Sequence, residues 1–167
     1  MKSNLITKFI PFMLLITVYS QSSSANEHRI GLSLGGIAWG NGLLSLSYDQ
    51  SGLFTQKNWS LGAELGTLWH GFVIAPRALY WQNKNMSGFY GGPKALVGFA
   101  SSRNYHYYCY NCENRNHTFV GLGGEGGWLY RFKTEPKGLD LGGGIDVVAT
   151  NYHIWASLKF TVGYLIP

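Results

Sequence analysis

The chain has 167 residues, of which 13% are charged, 16% are aromatic and 23 are glycine. Coiled coils and helical bundles need far more charge and fewer glycines, so the composition points to strands and turns. The formal charge of +5 falls to +3 without Lys2 and Lys8, and no basic cluster interleaves with aromatics. Nucleic acid is therefore not an expected partner.

Residues 1–25 read as a secretory signal peptide. Lys2 and Lys8 form a basic start, Phe9 to Val18 an apolar centre, and Ser23-Ser24-Ala25 a run of small residues for cleavage. The apolar run is shorter than the roughly 20 residues a membrane helix needs. The mature chain is expected to begin at Asn26 and to form one domain over 26–167.

From His28 onward, apolar and polar residues alternate, and a period of two is the mark of a strand with one apolar face. In the first segment Ile30, Leu32, Leu34 and Ala38 share a face. Gly40-Asn41-Gly42 signals a turn, after which Leu44, Leu46 and Tyr48 oppose Ser45, Ser47 and Asp49. A three-residue loop keeps the two apolar faces together. After a turn near Gln56-Lys57-Asn58, Trp59, Leu61, Ala63, Leu65, Thr67 and Trp69 alternate against Ser60, Gly62, Glu64 and Gly66. Phe72, Ile74, Pro76, Ala78 and Tyr80 then alternate against Val73, Ala75, Arg77, Leu79 and Trp81. A two-residue His70-Gly71 loop places Glu64 directly opposite Arg77, and a direct pair should tolerate exchange of its charges.

Gln82 to Ser87 is a polar turn, and Phe89, Pro93, Ala95, Val97 and Phe99 follow against Tyr90, Lys94 and Leu96. Residues 101–117 are the longest polar interruption. Val120, Leu122, Trp128 and Tyr130 then oppose Glu125, and Arg131 to Gly138 is assigned to a turn. Leu139, Leu141, Ile145, Val147 and Ala149 alternate against Asp140, Asp146 and Thr150. A four-residue loop, Asn151 to Ile154, puts Asp146 opposite Lys159 in the last run, where Ala156, Leu158, Phe160, Val162, Tyr164 and Ile166 share the apolar face.

Eight strands result, and Asp49, Glu64, Arg77, Lys94, Glu125, Asp140, Asp146 and Lys159 all lie opposite the apolar faces. In a soluble barrel the apolar face points inward; in a membrane barrel it meets lipid, and the charges pair inside. Three features favour the membrane form. The apolar faces end in aromatics such as Trp59, Trp69, Phe72, Tyr80, Phe89, Phe99, Trp128 and Tyr130, as interfacial girdles do. The opposite faces are small and glycine-rich, which suits a narrow filled lumen. With both termini periplasmic, the long 101–117 loop lies outside, where such barrels carry their long loops.

The runs SGFYGGPKALVGFASS, FVGLGGEGGWLYRF and GLDLGGGIDVVA resemble small bacterial outer-membrane β-barrel proteins with the architecture of outer-membrane proteins A and X. The resemblance is one of texture and brings no catalytic motif. It implies an all-β, eight-stranded antiparallel up-and-down transmembrane barrel in a bacterial outer membrane. Outer-membrane lipid is then a partner, and loop 101–117 faces host or envelope surface components.

Chemistry is sparse. His106, Cys109, Cys112 and His117 could supply a tetrahedral zinc site. A Cys109–Cys112 disulfide is the favoured reading in an oxidising compartment. No serine neighbours a histidine on a strand face as a hydrolase requires. The glycine runs 121–127 and 142–144 open no helix, so they are not phosphate loops. No catalytic residue and no cofactor is expected. The role read from the sequence is structural or surface-interacting, without an open pore. Two alternatives remain: a soluble lipocalin-like barrel holding a small apolar ligand, and a lipid A-modifying enzyme.

Overall fold

The computed structural model describes residues 27–35, 44–52, 56–68, 71–101, 116–132, 138–151 and 154–166. The alternating segments form eight strands: β1 (His28–Gly35), β2 (Leu44–Ser51), β3 (Trp59–Leu68), β4 (Gly71–Asn83), β5 (Ser87–Ser101), β6 (Asn116–Arg131), β7 (Gly138–Thr150) and β8 (Ile154–Ile166). Each pairs antiparallel with its chain neighbour, and β1 pairs with β8 to close the barrel. The up-and-down, all-β architecture expected from the sequence is the one observed. The ends of β1 and β8 and the β2–β3, β4–β5 and β6–β7 connections share one end, here the terminal end. The other four connections lie at the loop end.

The pleat sends successive side chains to opposite sides of the wall, and here it sends the apolar set outward. Leu32, Leu46, Leu65, Leu122, Val147, Leu158 and Phe160 are all exposed on the outside, Leu122 at 72%. Asp49, Glu64, Arg77, Lys94, Glu125, Asp140, Asp146 and Lys159 point inward and are at most 5% exposed. The molecule is thus apolar outside and charged inside. Near the terminal end the outer wall carries Trp59 edge-on to Tyr80 at 5.5 Å, Trp128 beside Tyr130 at 5.9 Å, and Tyr130 against Phe132 at 5.1 Å. Towards the loop end Phe72 lies 5.1 Å from Phe99.

Apolar side chains fill the lumen above and below the central charges. Val73, Ala75, Leu96 and Val148, with Phe119 against them, pack towards the loop end. Leu79, Trp81, Met86, Tyr90, Leu129 and Leu165 pack towards the terminal end. Met86 belongs to the β4–β5 turn and is buried although its φ of 51° is unusual for a side chain of its kind. Arg131 holds that turn by donating to the carbonyls of Met86, at 3.2 Å, and of Asn85.

Two expected registers are corrected. Leu68 pairs with Gly71, so the β3–β4 loop is residues 69–70, and Glu64 lies opposite Ala75 while Arg77 lies opposite Gly62. Asp146 likewise lies opposite Ser157, and Lys159 opposite Gly144. In both hairpins the partner moves by two residues, and an even shift leaves every side chain on its face. Alternation therefore could not distinguish the registers. Arg131 is also corrected: it ends β6, paired with Asp140 across the ladder, and is not a turn residue.

The outward set makes a direct prediction. Leu65 is 49% exposed and lies between Leu46 and Ile74. Leu65→Arg is expected to cost about 2–4 kcal/mol in a bilayer, read from denaturant titrations of protein refolded into lipid vesicles. A neutral result would mean that this face does not meet lipid.

Candidate functional site

The charged residues that alternation turns inward converge on one network. It contains five cations, Arg29, Arg77, Lys94, Arg131 and Lys159, and five carboxylates, Asp49, Glu64, Glu125, Asp140 and Asp146. Every strand supplies at least one of them. Strand alternation decides that each points inward; barrel closure decides which ones meet.

From the terminal end, Arg131 faces Asp140 at 3.5 Å, and Asp140 accepts two bonds from Arg29, at 2.7 and 3.0 Å. Arg29 approaches Asp49 at 3.5 Å, and Asp49 accepts a bidentate pair from Arg77, at 2.6 and 2.9 Å. The other Arg77 terminal nitrogen donates to Glu125 at 2.7 Å and to Glu64 at 3.3 Å. Lys94 then bridges Glu125, Glu64 and Asp146 at 2.5, 2.6 and 3.2 Å. Lys159 donates to Glu125 at 2.9 Å and to Glu64 at 3.3 Å, and lies 3.9 Å from Asp146. Signs alternate along this path, and the planar guanidinium forks engage carboxylates that a single ammonium would hold less rigidly.

Hydroxyls complete the lining. Ser45 donates to Glu64 at 2.5 Å, Ser33 and Thr161 share a bond of 2.8 Å, and the Trp81 indole donates to Ser60 at 2.8 Å. A void lined by Arg29, Ser47, Arg77, Tyr90, Glu125 and Lys159, among others, has a volume of about 10 Å³. That is room for roughly one water, not for a solute.

The geometry also bears on metal binding. Ligand atoms of Glu64, Glu125 and Asp146 lie within 4.8 Å of one another. The Lys94 ammonium already sits within 3.2 Å of all three, and Lys159 neutralises them from the other side. Lysines therefore do here what a cation would do, which makes this a structural charge cluster. The zinc and disulfide candidates His106, Cys109 and Cys112 lie outside the described residues. His117 lies in β6, where its backbone pairs with Ala100.

All eight charges that alternation sets opposite the apolar faces (Asp49, Glu64, Arg77, Lys94, Glu125, Asp140, Asp146 and Lys159) belong to the network. Two members escaped the sequence reading. Arg29 has the same parity against Ile30, Leu32 and Leu34 that identified the others, so the signal was present. Arg131 shares the parity of Glu125 against Trp128 and Tyr130, but the sequence reading assigns it to the turn that follows, one residue before β6 ends.

The sequence matches no protein-family model and no curated protein. Among solved structures, the chain is similar to the N-terminal β-barrel domain of Pseudomonas aeruginosa OprF. The TM-score is 0.49 at 13% identity, covering 84% of this chain and 96% of that one.

Because Glu64 serves Arg77, Lys94 and Lys159 together, Glu64→Gln is expected to cost about 3–5 kcal/mol, the range for breaking a buried ion pair. Ser33→Ala, which removes one hydroxyl pair, should cost about 1 kcal/mol. The charge exchange Glu64→Arg with Arg77→Glu should not restore stability, because it sets new like charges against Lys94 and Lys159 and against Asp49 and Glu125. Unfolding titrations of the three variants, with the two single reversals as controls, check the order, and full rescue by the exchange would contradict a shared network.

Proposed function

We propose that this protein is a bacterial outer-membrane barrel with a structural or surface-interacting role, whose loop-end connections, chiefly 102–115, form the interacting surface. The observation that carries the reading is the inverted polarity of the wall: large apolar side chains exposed all round the outside, with ten charges paired within. Such a surface suits hydrocarbon and is costly in water, and closure satisfies the backbone without edges. Strands of 10–16 residues in β3–β8 fit the roughly 9–11 residues a tilted strand needs to span.

The same polarity weighs against a soluble lipocalin-like carrier, which needs an apolar cavity. A lumen filled with salt bridges and capped by apolar clusters also weighs against passive transport. Catalysis forms no part of this reading, because the buried carboxylates are each engaged by lysine or arginine. For the surface role, β5 reaches Ser101 and β6 begins at Asn116, which trims the expected 101–117 loop to the Tyr-, Asn- and Cys-containing connection 102–115, the longest in the chain and joining the two longest strands.

Two experiments test this. The protein is expected in the outer-membrane fraction and to migrate differently on gels before and after boiling; recovery in the soluble fraction with unchanged mobility would remove the membrane reading. Replacing 103–115 with a short Gly-Ser turn is expected to preserve that heat shift and abolish binding to host cells or envelope components. Retained binding would place the interacting surface elsewhere. Cys109 and Cys112 are expected to resist thiol labelling until reduced, and full labelling without reductant would rule out their disulfide.

A further inference from the structure

Lysine is distributed unevenly along this barrel. Lys2 and Lys8 precede Asn26, and Lys94 and Lys159 are buried in the lumen. The remaining four, Lys57, Lys84, Lys133 and Lys137, fall by sequence position in the three connections of the terminal end, with at least one in each. The four connections at the loop end contain no lysine. The ten lumen charges cancel, and by sequence position the terminal end carries Lys57, Lys84, Lys133 and Lys137 against Glu27 and Glu135, while the loop end carries Arg103 and Arg115 against Glu113.

Lys57 and Lys84 lie within the described residues, and both are exposed. Their turns are fastened side by side: the Asn58 amide donates to the carbonyls of Trp81 at 2.9 Å and Gln82 at 3.3 Å, and the Trp81 N–H donates back to the Asn58 carbonyl at 2.7 Å. The Lys84 turn is short, only residues 84–86 between the paired Asn83 and Ser87. A lysine on so short a turn stays within a few ångströms of the wall's end. On the outer wall just inside this rim stand Trp59 against Tyr80, and Phe89 at 66% exposure. Aromatics of this kind settle at headgroup depth in a bilayer. Lys57 lies two residues from Trp59 and Lys84 four from Tyr80, on the aqueous side of these aromatics, and a lysine stem is long enough to bring its ammonium group back to phosphate depth.

We propose that this rim, centred on Lys57 and Lys84, binds the headgroup phosphates of anionic phospholipids. The proposal rests on the membrane reading above and adds which lipids the barrel selects and at which end. Each lysine near an anionic leaflet contributes roughly a fivefold preference, screened by salt. Lys84 on its three-residue turn and Lys57 two residues from the start of β3 stay close to the wall, which favours lipid over a polymer deeper in the aqueous compartment.

The test refolds the protein into phosphatidylcholine vesicles and measures its boundary lipid with spin-labelled phosphatidylglycerol and spin-labelled phosphatidylcholine. Gel mobility before and after boiling reports folding of each sample. The expected result is a several-fold preference for phosphatidylglycerol at low salt that shrinks at high salt. K57Q/K84Q should lower the preference at least twofold with its heat shift intact, while K57R/K84R should retain it. Equal association of the two lipids with the folded protein, or a preference unchanged in K57Q/K84Q, overturns the proposal. So does a folded protein without lipid preference that sediments with murein sacculi, which would assign the rim to the wall polymer. A protein that neither enters vesicles nor shows a heat shift removes the membrane reading itself.

Discussion

Burying ten charges inside a narrow wall is the constraint on which this structure depends. Taking a carboxylate or an ammonium out of water costs several kcal/mol per ion unless its partners are well placed. Here the partners are not on one hairpin. Arg77 and Lys94 are directly opposed on β4 and β5, and Glu125 and Asp146 on β6 and β7. Like charges so placed repel, and either hairpin alone would be worse off for forming. Asp49 and Glu64 reach Arg77 from β2 and β3, and Lys94 and Lys159 reach Glu125 and Asp146 from β5 and β8. Neutrality thus belongs to the closed barrel as a whole, which penalises partly closed arrangements and specifies a single one.

Large ion pairs fit inside an eight-stranded wall only if something else is small. A Cβ on Gly62 would lie 2.2 Å from an Asp49 carboxylate oxygen, and a Cβ on Gly163 would lie 2.4 Å from both Arg29 and Asp140. These glycines are the space the charges occupy. The apolar clusters at either end, with Trp81 and Met86 at one and Leu96 and Val148 at the other, then exclude water from the network and strengthen its interactions by lowering the local dielectric. Filling and electrostatics are the same design feature seen from two sides.

This division explains what the sequence could convey. A period of two fixes the face on which a residue lies, and put Glu64, Lys94, Glu125 and Asp146 together opposite the apolar face; that this face is the lumen came from the aromatic strand ends, the glycine-rich opposite faces and the long loop. Alternation conveys neither depth nor partner. The register of β3 against β4 could move by two residues without disturbing any face, so Glu64 seemed to meet Arg77 across one ladder when it meets three cations across the lumen. Those partners depend on closure between β1 and β8, a pairing between the two ends of the domain that no local pattern marks. The 101–117 loop was legible as a polar interruption, and its composition sets no particular ligand.

The β4–β5 seam shows how the network and the wall compensate each other. Elsewhere the ladders run without a break; β5 and β6, for example, pair from Gly88 with Leu129 to Ser101 with Asn116. Between β4 and β5 the paired positions thin out in the middle, passing from Ile74 with Val97 to Arg77 with Lys94 and then to Tyr80 with Gly91. Pro76 and Pro93 flank the central pair, and neither has an N–H to give to a ladder. A weakened ladder leaves backbone groups to find other partners, and here the one remaining central pair sets two cations side by side. Yet this is also where the carboxylates converge: Asp49, Glu64 and Glu125 all bond to Arg77, and Glu64, Glu125 and Asp146 to Lys94. Where its paired positions are sparsest, the wall is held from within by carboxylates of β2, β3, β6 and β7, so the charges that demand closure also brace this seam.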